Sequence, residues 1–220
     1  MKTTIKMFLK FGSLRDINDL YENGTIYLNT IQHFRKYEDA DLRGDKYEGA
    51  SRVKNSLPGT FKIPGNDRTF NYQKIHIKEA FSEVLGNIYS LYCISSHGIP
   101  NPLEFKMDKR IKKFGTHCLM IKDNAYFYET IQKQLKKEGY LFRHGFVEYY
   151  DKEKENMELT LFHKPLEFDY QKEFRFYVQN DKLEPIVLNI GSLKSYAEIH
   201  ETKDIVQLKL IKGKQNLRIN

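Results

Sequence analysis

The chain has 220 residues, of which 40% are hydrophobic and 30% charged, with 15 Tyr, 15 Phe and no Trp. This length allows one domain with a full-sized core, and the aromatic content excludes a disordered chain. The net charge of +7 permits nucleic acid, anionic nucleotides or acidic proteins as partners without requiring any of them. The basic runs at residues 106–113, 133–137 and 209–214 lie beside regularly spaced apolar residues, which favours solvated faces of ordinary elements over a nucleic-acid groove.

The cysteine content and the hydropathy indicate the compartment. Cys93 and Cys118 are the only cysteines, and both lie in apolar runs typical of strands. Because two cysteines make no disulfide framework and no C-x-x-C spacing occurs, we predict buried free thiols in a reducing compartment. No apolar run approaches the ~18 residues that span a bilayer, and the first ten residues lack the apolar core of a signal peptide. The sequence therefore predicts a cytoplasmic protein that does not enter a membrane.

The first half of the chain is predicted to form short strands, helices and turns. Ser13 is a helix N-cap and Asn23-Gly24 a stop signal, so a helix is expected over residues 14–22. Pro58-Gly59 and Pro64-Gly65 are turn signals, which predict hairpin strands or an insertion at residues 51–83. Strands are predicted at residues 2–10, 25–29 and 87–95.

The second half contains the clearest helix, residues 124–138, with Phe127, Ile131, Gln134 and Leu135 on one face. Strands dominate elsewhere, and the βαβ alternation of a doubly wound sheet is missing. The sequence therefore predicts a single α+β domain with mixed or antiparallel sheets and a few short helices. Strands are expected at residues 116–121, 142–150, 173–178, 185–190 and 205–211, with a short helix at residues 192–196.

The most informative stretch is the strand that follows Lys164-Pro165. Phe174, Phe176 and Val178 fall on one face, whereas Glu173, Arg175 and Tyr177 share the other and Gln171 joins them at the strand's start. A core strand needs no such polar face, so a cleft that orients a polar ligand is one interpretation. The alternative is a strand-face ion pair between Glu173 and a Lys or Arg on a neighbouring strand.

A second polar group lies in the acidic loop Arg43-Gly44-Asp45-Lys46-Tyr47-Glu48-Gly49. Its glycines allow a tight turn, so Asp45 and Glu48 are candidates for contacting a ligand or for pairing with Arg175 or Arg43. A solvent-exposed turn is the alternative. The histidines show no H-x-x-x-H or H-E-x-x-H spacing, which argues against zinc hydrolase chemistry.

Six stretches, taken in order, resemble a widespread bacterial and phage domain family. Its late signature is K-P-x-x-W-x-Y-E-x-E-x-R, which Lys164-Pro165 to Arg175 matches most closely, with Gln171 in place of the first glutamate. Residues 51–83 have no counterpart in that family. The other matching stretches are Met7 to Phe11, Thr25 to Thr30, Phe34 to Gly49, Tyr92 to Ser95 and Phe114 to Ile121.

The family in turn looks like a divergent ADP-ribosyltransferase fold, and this resemblance implies roles for single residues. Glu173 corresponds to the catalytic carboxylate that holds the NAD ribose, Gln171 to the residue that orients the acceptor and Arg175 to a positioning residue. Lys10 takes the place of the first-strand His or Arg. Tyr27 would stack on nicotinamide, with Asp45 and Glu48 at the rim of the pocket.

The resemblance implies a protein of a bacterial or phage conflict system that transfers ADP-ribose from NAD to a macromolecule. One alternative is a non-catalytic inhibitor that binds a defence protein or nucleic acid through the cleft or the basic surface. Another is a nuclease with a metal ion held by Asp45, Glu48 and Glu173.

Overall fold

The computed structural model describes residues 3–36, 48–80, 84–99 and 101–210. These ranges contain four α-helices, α1 (Leu14–Asn23), α2 (Ile31–Lys36), α3 (Asn124–Lys137) and α4 (Thr202–Ile205). Short 3₁₀ helices cover Pro102–Glu104, Lys109–Phe114 and Leu166–Gln171. The same ranges contain fifteen strands, numbered in chain order: β1 (Ile5–Gly12), β2 (Thr25–Thr30), β3 (Ala50–Ser56), β4 (Gly59–Lys62), β5 (Thr69–Tyr72), β6 (Ile75–Ala80), β7 (Asn87–Ser95), β8 (His117–Ile121), β9 (Phe142–Phe146), β10 (Glu148–Tyr150), β11 (Met157–Glu158), β12 (His163–Pro165), β13 (Glu173–Val178), β14 (Ile186–Asn189) and β15 (Ala197–Glu201).

The main sheet has eight strands and is antiparallel throughout its pairings. Its order is β14-β2-β7-β1-β8-β15, and β13 pairs with the other edge of β7 and carries β9 beyond it. A parallel pair joins β10 to β12. The predicted α+β class is confirmed, with mostly antiparallel strands and few helices. No helix of the described ranges is both long and apolar enough to cross a membrane.

Helices α1 and α3 cover one face of this sheet. Ser13 caps α1, because its hydroxyl accepts the Asp16 N–H, and Gly24 ends it in the left-handed conformation (φ 70°). A side chain at Gly24 would also meet the Gly191 carbonyl oxygen at 2.0 Å, so glycine is required there. The buried residues Phe127, Ile131 and Leu135 of α3 confirm the predicted helix face, whereas Gln134 is only half-buried and donates to Glu138.

The end of the chain differs from the prediction. Residues 205–211 alternate in polarity, yet the described part of this segment is the end of α4 followed by a turn, because Val206 N–H bonds back to Thr202. The predicted helix at residues 192–196 is a turn in which Leu193 is fully buried. In both segments the burial of one or two side chains, and not a repeating hydrophobic pattern, determines the backbone conformation.

A fork in the main sheet positions the candidate site. On one edge of β7, β1 pairs with Tyr92–Ser95 and β2 pairs with Asn87 and Ile88. Between them, residues 89–91 have no strand partner on that edge in the described part of the chain. Beyond Leu9, β1 no longer pairs with β7 and keeps only its pairing with β8, and the beginning of β2 pairs only with β14. The two strands therefore form the sides of a wedge with β7 at its base.

Candidate functional site

A cleft of about 800 Å³ occupies the fork. Lys10, Phe11 and Gly12 line it from the end of β1, and Thr25, Tyr27 and Asn29 line it from β2. The segment at Lys109–Phe114 contributes Ile111 and Phe114. The base of the cleft carries the polar side chains Glu48, Lys164, Gln171, Glu173 and Arg175.

Glu173 lies in a buried network of opposite charges. Its Oε1 accepts a hydrogen bond from the Lys164 ammonium at 2.5 Å, and its Oε2 accepts one from Arg175 Nε at 2.8 Å. Lys164 Nζ also donates to Gln171 Oε1 at 2.7 Å. All four side chains are more than nine-tenths buried. The ion-pair interpretation of Glu173 is thus confirmed, although its partners come from β12 and from β13 itself.

The backbone conformation at Lys172 allows the side chains of Gln171 and Glu173 to accept hydrogen bonds from the same ammonium group, that of Lys164. Gln171 ends a 3₁₀ helix and Glu173 begins β13, with Lys172 between them in the left-handed conformation (φ 42°). This conformation is uncommon for a residue with a side chain. It is held by the Cys93 N–H, which donates to the Lys172 carbonyl at 2.8 Å, and by an ion pair between Lys172 and Asp169. Among the described residues, the non-glycine position with positive φ therefore lies between the two predicted catalytic residues.

Arg175 connects Glu173 to Glu48. Its two terminal nitrogens donate to the two Glu48 carboxylate oxygens, each at 2.9 Å, and Nη1 also donates to the Leu161 carbonyl. This bidentate geometry is the strongest arrangement available to a guanidinium and a carboxylate. Glu48 is 4% exposed and lies at the base of the cleft instead of at its rim. Pairing with Arg175, one of the interpretations of the acidic loop, is the one the structure shows.

The network is electrically balanced, with two carboxylates against Lys164 and Arg175. Burial alone would raise the pKa of Glu173, but Arg175 and Lys164 hold it well below its usual value. Burial would likewise lower the pKa of Arg175, and Glu173 and Glu48 raise it instead. Both groups are therefore charged at neutral pH.

Two tyrosines, which the sequence did not single out, extend this site. The Tyr149 hydroxyl accepts the Glu173 backbone N–H at 2.9 Å and fixes the start of β13. Tyr89 lies at the base of the fork and is 3% exposed, and its hydroxyl has no hydrogen-bond partner among the described residues. Lys164 was also missed as a functional residue, although its position in the late motif was a usable signal.

The side chain of Lys10 extends from β1 to the base of the cleft. Its ammonium donates to the Ser90 carbonyl at 2.9 Å and lies 4.2 Å from the centre of the Tyr89 ring. Ser90 is the cross-strand partner of Arg175 in β13. Lys10 is thus attached to β7 directly opposite the charged network, within the gap of the fork.

Tyr27 presents an open aromatic ring to the cleft. Along β2, Ile26 and Leu28 are buried whereas Tyr27 is 53% exposed, as the period-two pattern of a strand requires. Its ring is therefore available to a planar ligand group. Asp45 lies outside the described residues.

The nuclease alternative requires carboxylates grouped around a metal ion. In the structure the Arg175 guanidinium binds both Glu48 and Glu173, so that a cation already occupies the space between them. No cluster of three or more His, Cys, Asp or Glu suited to a metal occurs in the described residues.

The two cysteines are buried and free, as predicted. Burial raises the pKa of Cys93 to about 12, and it raises the pKa of Cys118 as well. Neither thiol is therefore a nucleophile at neutral pH.

Comparisons of the chain with models of protein families, with curated proteins and with solved structures gave no match. The assignment of function therefore rests on the residues of the cleft.

Proposed function

We propose that the chain is an ADP-ribosyltransferase-like protein of a bacterial or phage conflict system, which binds NAD in the fork cleft and transfers ADP-ribose to a macromolecule. One observation carries the proposal. Lys10 and Tyr27 lie on the consecutive strands β1 and β2, Glu173 lies on β13 near the other end of the chain, and all three line the same cleft.

The size and composition of the cleft suit a dinucleotide. A volume of about 800 Å³ lies within the range of small-molecule sites, about 300–1,000 Å³. The exposed Tyr27 ring offers a stacking surface for nicotinamide or adenine. Lys10, which lines the cleft, supplies a cation that complements the charge of a diphosphate.

Glu173 supplies the anion that the reaction needs. Cleavage of the bond between ribose C1′ and the nicotinamide nitrogen returns the bonding electrons to nicotinamide, which leaves neutral, and positive charge develops on the ribose. A fixed carboxylate stabilises that charge. The acceptor then forms a bond to C1′ and loses a proton. Each Glu173 oxygen accepts one hydrogen bond from the described residues, so lone pairs remain for the ribose hydroxyls.

Transfer of label from NAD tests the proposal. The purified chain is incubated with cell extract and with NAD that carries a radiolabelled adenylate phosphate. We expect labelled macromolecules and released nicotinamide with the parent. Glu173→Gln should lose this activity by at least about 100-fold, a scale typical of removing one electrostatic group from a transition state. Glu129→Gln, on the exposed face of α3, is the matched control and should act like the parent.

Absence of both transfer and NAD cleavage by the parent would contradict the proposal. Circular dichroism of each variant at the assay temperature shows whether a loss reflects chemistry or unfolding. Tyr27→Ala removes an exposed side chain and provides a second variant whose fold is not at risk.

A second candidate function is a non-catalytic inhibitor that binds a defence protein or nucleic acid through the cleft or the basic surface. The observation that favours it is the enclosure of Glu173, which is 8% exposed and engaged by two buried cations. In that case titration calorimetry should detect binding of the defence protein or nucleic acid to the chain, and incubation with NAD should release no nicotinamide.

A further inference from the structure

Residues 50–80 form an arm made of two consecutive antiparallel ribbons. Strands β3 and β6 pair at its base, and β4 and β5 pair only with each other at its tip within the described part of the chain. The base is held by β11, which pairs with β3, and by the small core of Ala50, Val53, Tyr150 and Leu159. We call residues 50–80 the hairpin arm.

The hairpin arm is strongly basic. It contains six Lys or Arg residues and two Asp or Glu residues, a net charge of +4 in a chain whose total is +7. Arg52 pairs with Glu79 and Glu158, and Lys74 pairs with Glu153. Lys54, Lys62 and Arg68 form no ion pair with any described residue. The fold thus neutralises only part of the positive charge of the arm.

The tip of the arm also carries an aromatic surface. Phe61 and Phe70 are cross-strand partners whose rings stack with centres 5.3 Å apart and an interplanar angle of 17°. Tyr72 adjoins them, with its ring centre 6.3 Å from that of Phe61. Phe61 is 46% exposed, and Ile63 beside it is 49% exposed. One ring of the stacked pair is therefore open to solvent and the other is half-buried, and an exposed apolar surface of this kind is typical of an interaction site.

We propose that the hairpin arm binds single-stranded nucleic acid, with Phe61 and Phe70 as the stacking surface and Lys62, Arg68 and Lys54 as the phosphate contacts. Exposed aromatic rings and cations on the same arm are a combination that binds unpaired bases along a charged backbone. In a duplex the bases are stacked on one another, so that no base face is available to stack on Phe61. An acidic protein partner would satisfy the cations but has no specific use for parallel rings. This interaction is independent of the NAD cleft.

Fluorescence anisotropy with labelled oligonucleotides tests the proposal without NAD. The probes are single-stranded DNA and RNA of about 16 nucleotides, which covers common site sizes, together with the matching duplexes. We expect the parent to bind a single strand at least about 10-fold more tightly than the duplex. The affinity should fall with salt in proportion to the phosphates contacted, with a slope of about −0.7 per contact.

Three double variants locate the binding surface. Lys62→Glu with Arg68→Glu should raise the dissociation constant at least about 10-fold and make the salt slope shallower by about 1.4, the value for two lost contacts. Phe61→Leu with Phe70→Leu keeps apolar area but removes the rings, and we expect about a 10-fold loss. Lys133→Glu with Lys137→Glu, on the exposed face of α3, makes the same change in net charge and should alter binding less than about 2-fold.

Each outcome decides the proposal. It is overturned if the parent binds no single strand, if the duplex binds equally well, or if the α3 control loses as much affinity as the arm variants. Capture of a protein partner that the leucine variant still binds would assign the arm to protein recognition and overturn it too. The charge variant and the leucine variant alter different residues. If one of them does not fold, the affinity of the other for the single strand still tests the proposal.

Discussion

Arg175 and Glu48, which are 127 positions apart in the sequence, form a bidentate ion pair with both nitrogen–oxygen distances at 2.9 Å. Arg175 lies in β13 and Glu48 lies two residues before β3. The pair therefore fastens the start of the hairpin arm to the central sheet. It also places the base of the arm beside the cleft that we propose for NAD.

Breaking this ion pair should strongly destabilise the fold. Glu48→Gln leaves the buried Arg175 with one carboxylate instead of two, and we expect the free energy of unfolding to fall by about 3–5 kcal/mol. The control is Glu198→Gln, which breaks an exposed pair with Lys122 and should cost less than about 1 kcal/mol. Urea unfolding of both variants measures the difference, and equal small losses would contradict the prediction.

Acid should remove the contribution of Glu173 to stability. Its pKa is lower in the folded chain than the value of about 4.3 in an unfolded one, so the unfolded state binds the proton first as the pH falls. The stability that Glu173 provides is complete above about pH 5 and declines below about pH 4.3. We expect the difference in unfolding free energy between parent and Glu173→Gln to shrink from neutral pH down to about pH 3. A difference that stays constant over this range would contradict this.

Removing one hydroxyl from each of two tyrosines should change stability in opposite directions. Tyr89→Phe deletes a buried hydroxyl that has no partner in the described residues, so we expect a gain of up to about 1 kcal/mol. Tyr149→Phe deletes the acceptor of the Glu173 N–H, so we expect a loss of about 1 kcal/mol. The midpoint of thermal unfolding, measured for both variants and the parent in the same buffer, checks this prediction. A loss at Tyr89→Phe would show that its hydroxyl is satisfied.

Tyr27 should contribute to NAD affinity through its ring. Tyr27→Ala removes a stacking surface worth about 0.5–1.5 kcal/mol, so the dissociation constant for NAD should rise about 2- to 10-fold. Val187→Ala is the matched control, because Val187 is the cross-strand partner of Tyr27 and is similarly exposed, yet it does not line the cleft. Isothermal titration calorimetry measures both, and an equal effect of the two substitutions would rule out the stacking role.

The alternation in β13 predicted the buried apolar face formed by Phe174, Phe176 and Val178, because a strand's period is visible in its own residues. The burial of Glu173 and Arg175 on the other face was not predictable in the same way. It depends on Lys164 and Glu48, and the second of these comes from a loop far away in the chain. Only the tertiary structure brings these charges together. The fork is a similar case, because it results from where β1 and β2 leave β7.

The left-handed Lys172 constrains both the length of the tripeptide Gln171-Lys172-Glu173 and the residue at its middle. Inserting or deleting one residue there would exchange the two faces of β13, so that an aromatic ring would enter the charged network and Glu173 would turn toward the helices. Homologous chains should therefore keep the spacing of the two neighbours, and at the middle position they should prefer Lys or a residue that adopts the left-handed conformation readily, such as Gly or Asn.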